Sequence, residues 1–309
     1  QIIITNGCLE AVTLSVMELS APGETVAIFT PCYSGLLLSL HNLGRNILEI
    51  PCASDGPDMS VLENLMAEQA FKVLILSAIA YNPLGFNLSV EVKQRIAALA
   101  HQYQSPLIED DAYGELAYHG QPNSPIVSYA SRQTDQKKSA PIIYCGSFSK
   151  ALTTGFRVGW LATHGNISPF IKRKLSINLT SSQPPQVGLA DYLYSEGYRA
   201  HINRLRGVLE REINCLSEAV LRHFPTGTQL GQVRGGMFVW VKLPENLESM
   251  DLYQAALAHN ISLSPGEVFS MAGMATHCIR LSASHPWSDE REAAVVVLGK
   301  LTEGLLRAR

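Results

Sequence analysis

Lys150 stands in the stretch SFSKALTTGFRVGW, residues 147–160. Two hydroxyls, Ser147 and Ser149, precede it, and a Thr-Thr-Gly turn leads on towards Arg157. A lysine amine adds to a carbonyl carbon when its surroundings keep it unprotonated. A lone lysine can equally be a solvated surface charge. A reactive one needs partners from elsewhere in the chain, and other elements must bring them.

Those elements are legible as alternating patterns. TVAIFT (25–30), NILEIP (46–51), KVLILSA (72–78), SPLIED (105–110), PIIYCGS (141–147) and RVGWLATH (157–164) are short, apolar and β-rich. Residues 10–19, 60–70 and 90–103 carry apolar positions at helical spacing. Continuous apolar strands separated by helices predict an α/β fold with a mostly parallel sheet covered by helices. APGE (21–24) and QTDQKKSAP (133–141) read as turn or loop. From about residue 184 the pattern changes. A long helical region over 185–223 is followed by a strand in GGMFVWVKLP (235–244) and a helix near 249–259. A strand in HCIRLSAS (277–284) and a last helix over 288–307 complete the chain. The expected organisation is a large domain over 1–190, then an interdomain helix and a smaller α+β domain over 191–309.

In open parallel sheets, ligands bind outside the carboxyl ends of the strands. The residues just after each strand are therefore the candidates. TNGCLEAV places Gly7 at a turn opening a helix. The free N–H groups of Cys8 and Leu9 there suit a phosphate, although any helix start has the same look. TPCYSG offers Tyr33, whose ring could face a flat ligand or simply fill a loop. AYNPLG (80–85) is a turn signal, and Asn82 within it could donate into a pocket. EDDAYG (109–114) puts three acids at the end of an apolar strand, which is costly unless they are solvated or paired. A carboxylate facing a cationic ring nitrogen would satisfy that demand. Last come Lys150 and Arg157, one short loop apart.

Each signal alone has an ordinary structural explanation. Together they describe one ligand: flat, aromatic, phosphorylated, protonated on its ring nitrogen and reactive towards an amine. Pyridoxal 5′-phosphate has those properties, binding a lysine as a Schiff base and an acid at its pyridinium nitrogen.

The bulk composition agrees. The chain has 309 residues, 46% hydrophobic and 17% charged, with a net charge of −3. Such a balance lacks the basic footprint of a nucleic-acid binder. Six scattered cysteines form no CxxC pair, and nine histidines show no ligand spacing. Neither a disulfide framework nor a metal site is expected, and the reduced thiols fit a cytoplasmic protein. The longest apolar runs, such as VLILSAIA, are too short to span a bilayer. The opening QIIITNGCLEA has no initiator Met and no basic leader. It reads as a strand end running into a helix, so residues upstream are expected to be missing.

NPLG, DDAY, SFSK…GFRVGW and IRLS resemble the pattern of the fold-type I pyridoxal phosphate enzymes, aminotransferase class I/II. The resemblance covers essentially the whole chain. ITNGCLEA, IEDDAYGEL, SFSKALTTGFRVGW and RHFPTGT look closer still to the aminotransferase-like domain of GntR/MocR-type transcription regulators. Those proteins carry a winged-helix DNA-binding domain ahead of this one. The resemblance implies that this domain and an N-terminal arm are absent here, and that DNA would be met only through the missing part.

The resemblance also implies roles. Lys150 would hold the cofactor, Asp110 would keep its ring nitrogen protonated, and Tyr113 and Asn82 would bond its ring hydroxyl oxygen. Tyr33 would stack on the ring. The turn at Gly7, the N–H groups of Cys8 and Leu9, Ser147 and Arg157 would hold the phosphate. Arg280, in IRLS, would clamp a substrate α-carboxylate, with Asn82 beside it. Many relatives have Gln where Leu9 stands, so a side-chain contact is lost there. The expected function is an effector-sensing domain that binds an amino acid or related amine through the cofactor, within a homodimer. The alternative is a free-standing aminotransferase acting between an amino acid and a 2-keto acid.

Overall fold

The computed structural model describes residues 1–53, 56–121, 124–130 and 140–308. The loop expected at 133–141 falls outside the described residues except for its last two positions.

Strand and helix alternate as β1 Ile2–Thr5, α1 Cys8–Leu19, β2 Thr25–Thr30, α2 Ser34–Asn42, β3 Asn46–Ala53 and β4 Gly56–Pro57. Then come α3 Met59–Ala67, β5 Val73–Leu76, α4 Val90–Gln102, β6 Leu107–Asp111, α5 Val127–Ala130, β7 Ile142–Ser147 and β8 Gly159–Thr163. These strands form one sheet in the order β1-β8-β7-β6-β5-β2-β3-β4. β3, β2, β5, β6 and β7 run parallel, whereas β8 is antiparallel to both β7 and β1. β5, VLIL, is buried at every position, and β2 is buried from Val26 onward. Both faces of these strands are covered, which is why they read as unbroken apolar runs. Asp58 starts α3 by accepting from the N–H groups of Ser60 and Val61, and Ser89 does the same for α4 at Val92.

The chain continues through α6 Ser168–Asn178, α7 Gln183–Tyr194 and α8 Glu196–His223. It ends with β9 Gln229–Leu230, β10 Phe238–Lys242, α9 Ser249–Leu257, β11 Ser264–Pro265, β12 Cys278–Ser282 and α10 Asp289–Arg307. β11, β12, β10 and β9 form a second, antiparallel sheet in that order.

Besides the short elements α5, β4, β9 and β11, which were not expected, these details differ from the sequence expectation. The helical region over 185–223 is two helices, because Ser195 is extended and its hydroxyl accepts from the Gly197 N–H to start α8. α2 and α6 were not expected. α6 buries only Phe170 and Lys174 while Ile171 and Leu175 face outward, so it has no apolar stripe to read. The strand expected from 157 begins at Gly159, because Arg157 has a positive φ of 51° and turns the chain before it can pair.

Candidate active site

The strand order reverses between β5 and β2, and a crevice at such a switch point is where open sheets hold ligands. A cavity of about 210 Å³ lies there, walled by Ile28, Phe29, Ile75 and Leu76 from those two strands. Cys8, Leu9, Tyr33, Asn82, Asp110, Tyr113, Ser147, Lys150 and Arg157 also line it. Residues separated by up to 149 positions in sequence are thus brought together at one sheet edge. Gly7 and Arg280 stand just behind this lining, each bonded to or packed against a residue within it.

One end of the cavity is a cradle for an anion. β1 ends at Thr5 opposite Gly159, so α1 starts beside the start of β8. Gly7 opens α1 with a φ of 100°, which only glycine adopts without strain. A Cβ on Gly7 would come within 2.5 Å of the Arg157 guanidinium. Arg157 donates to the Asn6 carbonyl at 2.7 Å and to the Ser149 hydroxyl at 3.0 Å. The Ser147 hydroxyl bonds Ser149 at 2.9 Å. Among the described residues neither hydrogen-bond partner of Arg157 is an acid, so its positive charge is left for something else. A helix N-terminus, hydroxyls and an unneutralised guanidinium together suit a phosphate.

Lys150 stands at the centre. Among the described residues its Nζ makes no hydrogen bond or ion pair, and it lies 5.8 Å from the centre of the Tyr113 ring. Burial, then the charges of Arg280 and Arg157, hold its amine below the usual lysine range. That favours the neutral, nucleophilic form. Asp110 is pushed upward by burial, against hydrogen bonds from Cys8 and Ala112. Both of those donors reach the same oxygen, Oδ1, at 3.0 and 3.2 Å. A cation in front of the carboxylate would pull it back down and favour its ionised form.

At the other end, Arg280 on β12 donates to Asn82 Oδ1 at 2.9 Å and to the Ser264 hydroxyl at 3.2 Å. Its guanidinium lies 4.0 Å from the centre of the Phe238 ring and 4.9 Å from that of Phe269. Among the described residues no acid bonds it, and burial lowers its pKa. Tyr113 is buried, and burial holds its hydroxyl above the usual tyrosine range. Tyr33 precedes α2 and is 42% exposed at the cavity wall.

Some of this arrangement had no signal in the sequence. The Cys8 thiol bonds Asp110 across 102 residues, where only the backbone of Cys8 was expected to matter. Phe238 was read only as part of the strand in GGMFVWVKLP, and nothing in the sequence singled out Phe269. Ser77 and Thr154 also line the cavity. Ser149 had been noted only as a neighbour of Lys150, not as the partner of Arg157.

The residues present fit the predicted cofactor. Among the described residues, guanidinium groups without acid partners stand towards both ends, an amine without a hydrogen bond or ion pair stands between them, and a buried carboxylate has one oxygen committed to donors. Among the described residues no cluster of side chains could hold a metal ion, and no helix is long and apolar enough to cross a membrane.

Comparison with known proteins agrees with this geometry. The family model for aminotransferase class I and II matches residues 1–297. The uncharacterised HTH-type transcriptional regulator YdcR of Escherichia coli is 36% identical over 304 residues. The alignment covers 98% of this chain and 64% of YdcR, so the chain spans less than two thirds of that relative. The 2-aminoadipate transaminase of Thermus thermophilus is 28% identical over 99% of this chain and 76% of its own length. The crystal structure of LysN, an α-aminoadipate aminotransferase of Thermus thermophilus complexed with N-(5′-phosphopyridoxyl)-L-leucine, superposes with a TM-score of 0.91. That match has 28% identity and covers 100% of this chain and 78% of the crystallised one.

Proposed function

The chain belongs to the aminotransferase class I and II family, and from that premise we propose that it binds pyridoxal 5′-phosphate and, through it, an amino acid or related amine. The observation that carries this reading is the Lys150 amine, which among the described residues has no hydrogen bond or ion pair, in a cavity lined by Arg157 and backed by Arg280, neither bonded to an acid among the described residues. We assign the main role to effector sensing within a transcription regulator, as the likeness to YdcR supports. The second reading, a free-standing aminotransferase, is supported by the likeness to the 2-aminoadipate transaminase and by a complete set of candidate catalytic groups.

In either case the residues divide the work. Lys150 would hold the cofactor covalently and, once displaced by a substrate amine, move the proton at the substrate Cα. When bound, the cofactor supplies an electron sink for the charge left at that carbon. Asp110 would face the ring nitrogen, with Cys8 and Ala112 fixing its other oxygen. Tyr113 and the Asn82 amide would bond the ring hydroxyl oxygen, and Tyr33 would cover the ring. Gly7, Cys8, Leu9, Ser147, Ser149 and Arg157 would hold the phosphate. Arg280 would take the α-carboxylate. Residues 1–190 would form the cofactor domain, and residues 191–309 would supply the clamp. We place the protein in the cytoplasm as a homodimer. A second copy would cover exposed apolar residues such as Leu175, Leu179 and Val187.

The test is to load the protein with pyridoxal 5′-phosphate and titrate a panel of amino acids without any keto acid. Spectral change and released keto acid are measured together. Stoichiometric release of a keto acid supports the aminotransferase reading. A spectral shift without release supports sensing. No spectral change with any amine overturns both.

A further inference from the structure

Glu49 lies on β3, outside the cavity lining, yet it ties the two sheets together. Its Oε2 accepts from the Thr30 hydroxyl at 2.7 Å and from the Ser270 hydroxyl at 2.7 Å. Its Oε1 accepts from the backbone N–H groups of Met271 at 2.6 Å and Ala272 at 3.0 Å. An apolar residue in its place would leave both N–H groups without that partner, so this acid determines how the 270–272 loop sits.

Two segments that reach the site meet at this carboxylate. Thr30 ends β2, and the chain runs on from it to Tyr33 at the cavity wall. Ser270 directly follows Phe269, whose ring flanks the Arg280 guanidinium. The Phe269 carbonyl also accepts from the Cys32 N–H at 2.8 Å. The loop that backs Arg280 is therefore fastened to the segment that carries Tyr33, directly by the Cys32–Phe269 bond and through Glu49, which bonds Thr30 on one side and Ser270, Met271 and Ala272 on the other.

We propose that Glu49 is a positioning residue for the carboxylate clamp: it holds the 269–272 loop against β2 and so sets where Arg280 stands relative to the cofactor cavity. This rests on the reading of Arg280 as the ligand of a substrate α-carboxylate. Glu49 lies outside the cavity lining and bonds three residues of the 270–272 loop against one of the Tyr33 segment, so its removal is expected to act mainly on the partner that Arg280 holds. The Cys32–Phe269 bond remains in its absence, which keeps the loop near its place and limits the loss.

The experiment uses the cofactor-loaded protein, Glu49→Ala, Glu49→Gln and, as a control, Arg280→Ala. Dissociation constants are read from the visible spectrum for L-leucine and for 3-methylbutylamine, the same molecule without its carboxylate. L-Glutamate and 4-aminobutyrate serve as a second pair. Affinity for pyridoxal 5′-phosphate and thermal unfolding are measured alongside. Glu49→Ala is expected to weaken the amino acid about tenfold while the amine and the cofactor stay within about twofold. Glu49→Gln keeps an acceptor for Met271 and Ala272 and is expected to recover most of the loss, and it carries the test if the alanine variant does not fold. Equal losses for amino acid and amine, or none for either, overturn the role of Glu49 alone. A wild type that shows no preference for the carboxylate, or an Arg280→Ala variant that keeps it, overturns the Arg280 assignment and this proposal with it.

Discussion

Arg280 donates to the side-chain oxygen of Asn82 at 2.9 Å, a bond that spans 198 residues and joins the second sheet to the turn after β5. It settles the amide orientation, because the guanidinium can only donate. The Asn82 oxygen is engaged, so its NH2 group is free to donate elsewhere. Arg280→Ala removes a charged, fork-shaped donor and is expected to weaken an α-amino acid by about 3 kcal/mol, roughly a hundredfold. Arg280→Lys is expected to recover only part, because an ammonium cannot reproduce the planar fork. Isothermal titration with the cofactor-loaded protein checks both, and equal affinities in all three forms would refute the clamp.

Lys150 and Asp110 separate two functions that one variant would confuse. Lys150→Ala is expected to remove the visible band that marks a lysine-bound cofactor, while phosphate contacts still retain the ligand. Asp110→Ala is expected to keep that band and to slow exchange of substrate Cα–H with solvent deuterium about a thousandfold, roughly 4 kcal/mol of barrier. Absorbance and proton NMR read the two effects independently. An unchanged band in the first variant, or normal exchange in the second, would remove the corresponding role.

The ordering of candidate residues along the sheet edge was legible because it depends only on local pattern. An apolar run predicts a buried strand, a parallel sheet puts the strand ends on one side, and the next few residues must then face the same crevice. Ser147, Lys150 and Arg157 are also close in sequence, so spacing alone groups them. Contacts that depend on how two distant segments pack left no such trace. The Cys8 thiol on Asp110, the two phenylalanines around Arg280 and the Glu49 tie are of this kind. The break between α7 and α8 was hidden differently. It rests on one serine inside an otherwise helical pattern, and serine is common at both helix starts and exposed helix positions.

The cofactor cradle depends on two backbones that approach too closely for any side chain. A Cβ on Gly159 would lie 2.5 Å from the Gly7 carbonyl carbon and 2.7 Å from the Gly146 carbonyl oxygen. Both obstacles are main chain, so neither can rotate away. Gly159→Ala is expected to destabilise the protein by about 2 kcal/mol or more and to displace the start of α1 from Arg157. Gly188→Ala is the control, since it sits in α7 with nothing within 4 Å of the new Cβ. That change is expected to be neutral or slightly stabilising. Urea denaturation and cofactor affinity together check the pair, and a Gly159→Ala protein that binds the cofactor normally would show that the close approach is dispensable.

Glu109 gives the fold a pH dependence separate from the chemistry. Its carboxylate is buried and accepts from the N–H groups of Ile126 and Val127, with Lys93 of α4 opposing the penalty of burial. Asp111 on the same strand faces the same interior, bonded by the Tyr144 hydroxyl of β7, and burial holds it high as well. Burial raises the Glu109 pKa from 4.5 to about 7. The folded state therefore keeps a proton that the unfolded chain gives up at lower pH. The resulting stabilisation is fully present below about pH 4.5 and is lost as pH rises through about 7. A shift of that size corresponds to roughly 3 kcal/mol. Glu109→Gln has no proton to lose, so its stability is expected to fall less than that of the wild type between pH 5 and pH 8. Urea midpoints across that range measure the difference in slope. Parallel slopes would mean that Glu109 is already ionised in the folded protein at the bottom of the range, with Lys93 and the two N–H groups outweighing burial.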